Sequence, residues 1–429
     1  MVRFQTLVVS CLLLTGQSFA QASGSRDQET IRLLQQQIQE LQDRVETLEE
    51  AAADSDSTDA PHPGPQHQPA ADQPAADQPA EPNQAPIVPA ILHESHGIQW
   101  RGFGEVDYKV LDQRQPELST FGFTPGSAGN FYTGEFALFL TSRINDKASV
   151  LSEIVFDELL EQRFELNVER LLFKYDLNDH LRMSFGRYQT GIGYYNTHYH
   201  SGRWFFTTAD RPLVTEFASK GGLLPTQAVG VSVTGLLPSG RLGLNYILEY
   251  GSSDTNRPNI DGSELPTDED NGNHVNLGLF VRPDAIPGLQ VGGSFYHDNI
   301  TNQDLTPGVR LGQTIVNAHI VYVRHGVEVL NEGFLIRHAQ EHSQTVFNMP
   351  AFYSQISRRL QRATPFFRYQ YANTNPRSIF EDVLLRHGPS FGARYDLNDN
   401  IAFKAQLDHT MRKGKPNLNG LQLQLAFAF

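Results

Sequence analysis

Two-residue alternation of apolar and polar side chains, renewed from Gly97 to the last residue, limits this chain more than any other feature. A β-strand sends successive side chains to opposite faces, so a period of two means strands with one greasy face and one polar face. The last segment is the cleanest. Leu421, Leu423, Leu425, Phe427 and Phe429 fall on one face, and Gln422, Gln424, Ala426 and Ala428 on the other. Sixteen such runs can be read, at 98–111, 130–144, 148–158, 164–176, 180–189, 228–238, 240–250, 273–283, 288–299, 312–323, 326–337, 345–360, 363–373, 384–396, 400–410 and 419–429. Each is close to the ~9–11 residues that a tilted strand needs to cross a bilayer.

The connections alternate as well. Every second one is tight and built of turn residues: Asn145-Asp146-Lys147, Leu177-Asn178-Asp179, Pro238-Ser239-Gly240, Arg324-His325-Gly326, Leu360-Gln361-Arg362 and Leu397-Asn398-Asp399. Those between are mostly longer, up to 190–227. Short turns on one rim and long loops on the other are the pattern of an outer-membrane barrel, and a closing strand ending in Phe resembles that of the bacterial members. The expected fold is therefore all-β: a 16-stranded antiparallel transmembrane β-barrel over 97–429. An even strand count puts both ends of the domain on the short-turn, periplasmic side.

Faces can be assigned. In the first strand Trp100, Val106, Tyr108 and Val110 face out, while Gln99, Arg101, Glu105, Asp107 and Lys109 face in. In 400–410 Phe403 and Leu407 face out, and Lys404, Gln406 and Asp408 face in. An Arg or Lys on the lipid face near mid-bilayer costs about 2–4 kcal/mol, so alternating charges predict a wet interior. A soluble β-sandwich would reverse the two faces. The run 164–176 slips phase, because Phe164, Leu166 and Val168 share one parity and Leu171, Phe173 and Tyr175 the other. A β-bulge near Glu169-Arg170 would repair it. The segment 345–360 alternates least, which leaves room for a loop inside it.

Composition settles what precedes the barrel. Only 39% of the 429 residues are hydrophobic, and past the N-terminus no run approaches the ~18 apolar residues of a membrane-spanning helix. Residues 1–22 read as a secretory signal: Arg3, then an apolar run around Leu12-Leu13-Leu14, then Ala20-Gln21-Ala22. The single cysteine, Cys11, lies inside it, which removes disulfides and cysteine chemistry from the mature chain. Residues 23–53 carry a heptad seam of Ile31, Leu34, Ile38, Leu41, Val45 and Leu48, a short α-helical coiled coil. The seam chemistry leans towards two strands, whereas a porin would bring three copies together, and both stay open. Residues 54–96, rich in Pro, Ala, Asp and Gln, cannot bury a core and read as a disordered linker. Most of the net charge of −14 lies in 21–96, so it says little about what the barrel binds, and no basic block suggests nucleic acid.

A sixteen-stranded barrel leaves room for an aqueous channel, so function rests on what narrows it. The candidate is 190–227, too aromatic to be a solvated flap. Its Gly186-Arg187-Tyr188, Gly193-Tyr194-Tyr195-Asn196-Thr197-His198, Arg203-Trp204 and Arg211-Pro212 resemble the phosphate-selective porin O and P family. That resemblance implies a trimeric, in some members anion-selective, channel with this third long loop folded into the barrel. The dense Lys/Arg cluster of a phosphate filter is missing: Arg203, Arg211 and Lys220 are offset by Asp210 and Glu216.

The constriction candidates are His198, His200, Arg203, Asp210, Arg211 and Glu216 on the loop. On the wall they are Arg101, Arg182, Arg187, Arg368, Arg394 and Lys404, with Glu105, Asp107, Glu135 and Glu153 as opposing acids. Rings of one sign would select ions; simple cross-strand pairing is the alternative for each. His198 and His200 alone make no metal site. The reading is an outer-membrane porin for passive diffusion of small hydrophilic solutes or ions. It implies no cofactor, no turnover, contact with outer-membrane lipid, self-association as a homotrimer, and a periplasmic coil that could reach the cell wall. An anion or phosphate channel, a cell-wall anchor and a barrel enzyme are the alternatives.

Overall fold

The structure is a computed structural model that describes residues 97–113, 129–159, 163–199, 202–217, 222–253, 273–301, 310–341, 343–378 and 383–429. The expected signal, coil and linker lie outside the described residues, as do His200 and Lys220.

The strands are β1 (Ile98–Leu111), β2 (Asn130–Arg143), β3 (Ala148–Leu159), β4 (Arg163–Asn178), β5 (Leu181–Gln189), β6 (Gln227–Leu236), β7 (Leu244–Ser253) and β8 (His274–Val281). They continue as β9 (Leu289–Thr301), β10 (Arg310–Arg324), β11 (Val327–Gln340), β12 (Val346–Arg358), β13 (Ala363–Asn373), β14 (Leu385–Asn398), β15 (Ile401–Arg412) and β16 (Leu418–Ala428). Each pairs with its sequence neighbours, and β1 pairs with β16, closing a barrel of sixteen. A closed barrel has no edge and leaves no strand amide facing lipid unpaired.

Closure explains the terminal segment. β16 runs antiparallel to β1 from Phe103↔Ala428 to Leu111↔Gly420, and Phe429 carries the ladder one residue further through two hydrogen bonds with Gly102, each 2.9 Å. The Phe429 ring folds back over Gly102, where a Cβ would lie 2.2 Å from it, and stacks on Phe136 at 5.8 Å. Glycine is required there by the close approach of the ring.

The barrel is inside-out relative to a soluble sheet. Leu425 is 40% exposed while its neighbour Gln424 is 1% exposed, and Val106 is 39% exposed beside Asp107 at 1%. This decides against a sandwich, which would hide the leucines. The expected bulge is present: Glu153 pairs with Arg170 and Ile154 with Val168, leaving Glu169 as the extra residue. Phe164, Leu166, Val168, Leu171 and Phe173 are consequently all exposed on the outer face.

Two expectations need correction. The segment 345–360 holds no loop: β12 alternates without a break between exposed and buried positions. Its inward residues are Phe347, Met349, Ala351 and Tyr353 together with the polar Gln355 and Ser357, and its outward ones include Asn348, Ser354 and Arg358. Both faces are therefore mixed in polarity, which disguised the period. The turn expected at Pro238–Gly240 extends instead to Gly243, through a 3-10 turn at Gly240–Leu242, so β7 starts four residues later than the alternation suggested.

Candidate functional site

The segment between β5 and β6 enters the lumen and is held there by side chains from around the wall. It opens with a short helix, α1 (Tyr194–His198). Glu332 on β11 caps the helix, accepting from the backbone N–H of Tyr194 (2.6 Å) and Tyr195 (2.8 Å) and from the Tyr353 hydroxyl (2.5 Å). A carboxylate at a helix N-terminus satisfies the orphan donors and the end charge together. Gly193, at φ 81°, makes room for it, since a Cβ there would sit 2.4 Å from the carboxylate. Glu249 on β7 accepts the Gly191 N–H at 2.8 Å, and the Asn196 amide donates to the carbonyls of Thr190 (2.8 Å) and Thr226 (2.9 Å), tying the base of the loop shut.

His198 stacks on Tyr194 at 3.8 Å. Its Nε2 accepts from Arg282 at 3.1 Å and its Nδ1 faces the Tyr194 carbonyl at 3.0 Å. Burial, then the adjacent Arg282 charge, push the imidazole down to about 3, so it is neutral at physiological pH. Tyr199 donates to Glu328 at 2.5 Å.

The loop then crosses to the opposite wall. Arg203 pairs with Glu105 at 3.1 Å. Phe205 packs on Phe103, ring centres 4.7 Å apart. Lys404 donates to the carbonyls of Arg203 (2.5 Å) and Thr208 (3.0 Å). Arg394 lies over the Trp204 ring at 4.7 Å and donates to the Phe206 carbonyl at 3.1 Å. Ala209 donates to Gln406 and accepts from Gln424. Arg368, fully buried, pairs with the Asp210 carboxylate and donates to the Asp210 carbonyl at 3.0 Å. Burial pushes the Asp210 carboxyl up, but Arg368, Lys109 and the hydrogen bonds of Gln406 and Arg368 outweigh it and hold it down to about 2. Arg211 binds the loop to itself, donating to the Thr215 and Tyr199 carbonyls and the Asn196 side chain, with its guanidinium 4.6 Å from the Phe217 ring. The Glu216 carboxylate accepts the N–H of Phe217.

Beneath this polar stitching lies an apolar core inside the barrel. Ile192, Tyr195, Phe206, Val214 and Leu224 of the loop pack on inward residues of β9–β13, among them Ile315, Leu330, Phe334 and Tyr353. Beside the inward charges from which a wet interior was expected, these strands turn apolar residues inward to receive the loop.

The placement of the wall candidates follows. Arg368, Arg394, Lys404 and Glu105 contact the loop, and Asp107 is buried among Gln422 and Gln424. Glu153 pairs with Arg170 at 2.5 Å, and Glu135 donates its backbone N–H to Glu105. Arg101 is exposed at the short-turn end of β1, and Arg182 pairs with the exposed Asp179 at 3.0 Å on the same rim. Arg187 stands opposite Leu171 and Val229 and donates to Gln227 at 2.5 Å. Sequence reasoning missed Glu249, Glu328, Glu332, Gln406 and Gln424. Their only signal was a polar side chain on the inward parity of a strand.

The described loop residues make these bonds to β1, β7, β11 and β13–β16. Facing β3–β6, a cavity of 20 Å³ lies between Thr197 of α1 and a wall carrying Arg170, Lys174, Ser184, Gln189 and Ser232. That is room for about one water.

No family model matches the sequence, and no curated protein matches it. Solved structures do match. OmpT of Vibrio cholerae, an outer-membrane protein, is 11% identical over 79% of this chain and 100% of its own, with a TM-score of 0.52. An anion-selective porin from Comamonas acidovorans is 10% identical over 78% and 99%, with a TM-score of 0.52. OmpF of Salmonella typhi, in complex with daunomycin, is 13% identical over 77% and 97%, with a TM-score of 0.50. At these identities the likeness is one of fold: the chain has the fold of the outer-membrane porin barrels.

Proposed function

We propose that this protein is an outer-membrane porin that lets small hydrophilic solutes or ions diffuse passively. One observation carries the reading: a loop stitched across the lumen of a sixteen-stranded barrel, with a small cavity beside it, facing β3–β6, whose lining mixes Arg170, Lys174 and Ser184 with Leu151, Leu172 and Tyr188. In a barrel wide enough to enclose water, a loop folded into the lumen narrows the channel and sets what can pass. Many of the inward polar side chains hold the loop or pair with one another, and the reading assigns no turnover and no cofactor. The Gly-Arg-Tyr and Tyr-Tyr-Asn-Thr-His motifs favour the porin O and P family within that class. The porin class favours a homotrimer, and the heptad seam of Ile31 to Leu48 supports self-association, two- or three-stranded, with the coil and linker in the periplasm, where the coil could also tether the barrel to the cell wall.

A second reading is anion preference: the cavity wall carries two basic side chains, Lys174 and Arg170, the latter paired with Glu153. The anion selectivity named for the Comamonas porin agrees with it, but that likeness alone would not carry it. Planar-bilayer recording of the full-length mature protein under a salt gradient tests both readings. Small discrete steps are expected, with a reversal potential on the anion side. Folded protein that passes no current would sink the porin reading, and a cation-side potential would sink the second.

A further inference from the structure

The short-turn rim carries a group of four arginines with one shared acid among them. In the ladder Arg324 pairs with Val327, and Val327 pairs with Arg358. The three form one cross-strand row, and its parity is that of the exposed Ile320, Leu335 and Ile356 on the outer face. Adjacent strands lie ~4.8 Å apart, so the two arginine backbones stand about 10 Å apart with a valine between them. The next row inward is Tyr322, Val329 and Ile356. The arginines thus sit where the apolar belt ends.

The turns below them are bonded together, the Arg359 N–H donating to the Gly326 carbonyl at 2.6 Å. They add Arg359 and Arg362, with Leu360 exposed between them at 53%. The acid near this group is Asp396, 3.8 Å from Arg359 but held closer by Arg394 at 2.7 Å. Among the described residues neither Arg324 nor Arg358 has an ion pair. Elsewhere on the rim the arrangement is different: Arg143 pairs with Asp146 and Arg182 with Asp179 within their own turns.

Arg324 and Arg358, unpaired on neighbouring outer positions above Arg359 and Arg362, leave positive charge at this edge for an anion to neutralise. Their position selects its form. Guanidinium groups fork onto phosphate oxygens, an exposed leucine amid arginines suits the boundary between headgroup and acyl chain, and the flanking row is apolar. We propose that the β10–β11 and β12–β13 turns bind anionic phospholipid, with Arg324 and Arg358 each taking a phosphate. The site therefore suits a diphosphatidyl lipid such as cardiolipin, in the leaflet facing the short-turn rim. This rests on the outer-membrane reading above.

The full chain is inserted into vesicles of phosphatidylethanolamine with cardiolipin at one lipid in five, and into vesicles of phosphatidylethanolamine alone. It is then re-extracted, and the retained lipid is counted by native mass spectrometry. Wild type should keep cardiolipin in preference to phosphatidylethanolamine. Arg324→Glu/Arg358→Glu should lower that retention about tenfold or more, each basic residue near an anionic surface contributing about fivefold. Lys147→Glu, on the β2–β3 turn, should leave it unchanged. If the double variant does not migrate as a folded, heat-modifiable barrel, Arg359→Gln/Arg362→Gln replaces it, with a smaller loss in the same direction. Equal retention by a folded variant, or no enrichment by wild type, overturns the proposal. So does displacement of the lipid by inorganic phosphate alone, which would make this a free-anion site, or capture of an acidic protein in place of lipid. A chain that enters neither vesicle would sink the membrane-barrel reading itself, a result distinguishable from insertion without retention.

Discussion

Arg368→Met should release the inserted loop at a cost of about 3 kcal/mol, the low end for breaking a buried pair because Asp210 keeps a quarter of its side chain exposed. The substitution leaves the Asp210 carboxylate beside an apolar stem and removes the donor to the Asp210 carbonyl. The chain has two tryptophans, Trp100 on the outer rim and Trp204 in the loop under Arg394. In a Trp100→Phe background, Trp204 emission reports the loop alone. The variant should shift that emission to the red, admit a water-soluble quencher and lower the denaturant midpoint. Arg368→Met/Asp210→Asn should recover much of the loss, since no charge is then stranded. An unmoved emission would mean that the pair does not hold the loop.

The same pair sets a pH dependence. The Asp210 carboxyl is lowered from 3.8 to about 2 in the folded protein. A depressed carboxyl contributes stability that is complete above its unfolded value and is lost as pH falls through its folded value. The Trp204 signal should therefore hold down to about pH 4 and loosen between there and about pH 2. In Asp210→Asn this acid transition should be absent.

Excising the loop apex should have the largest effect on transport. Replacing residues 203–212 with a short Gly-Ser bridge removes Trp204, Phe205, Phe206 and Asp210, and with them the loop contacts to Lys404, Arg394 and Arg368 described above. An unobstructed sixteen-stranded barrel encloses a water-filled channel, so single-channel conductance should rise severalfold and ion preference should weaken. The strand ladder does not include these residues, and a heat-modifiable gel shift checks that the barrel still closes. Conductance equal to wild type would mean that the current does not pass the loop.

The molecule divides into what neighbours in sequence dictate and what distant partners dictate. Alternation is local, so the strands, their inside-out polarity, the closing segment and the extra residue at Glu169 could be read directly from the order of side chains. The period also identified the inserted loop, since its aromatic residues need burial that a solvated flap cannot provide. β12 escaped the same logic because part of its inward face is greasy for the loop's sake: Met349, Ala351 and Tyr353 look misplaced until the loop is in the barrel. Which wall charges would meet the loop lay beyond any local rule. Arg368 and Asp210 stand 158 residues apart and Lys404 and Arg203 201 apart, brought together only by closure of the barrel. Sequence by itself determined a membrane barrel with a loop that must bury itself, because period and hydrophobicity act on each strand alone. Tertiary structure alone decided which inward charges hold that loop, Glu105, Arg368, Arg394 and Lys404 among them, because those contacts exist only once β1 has met β16.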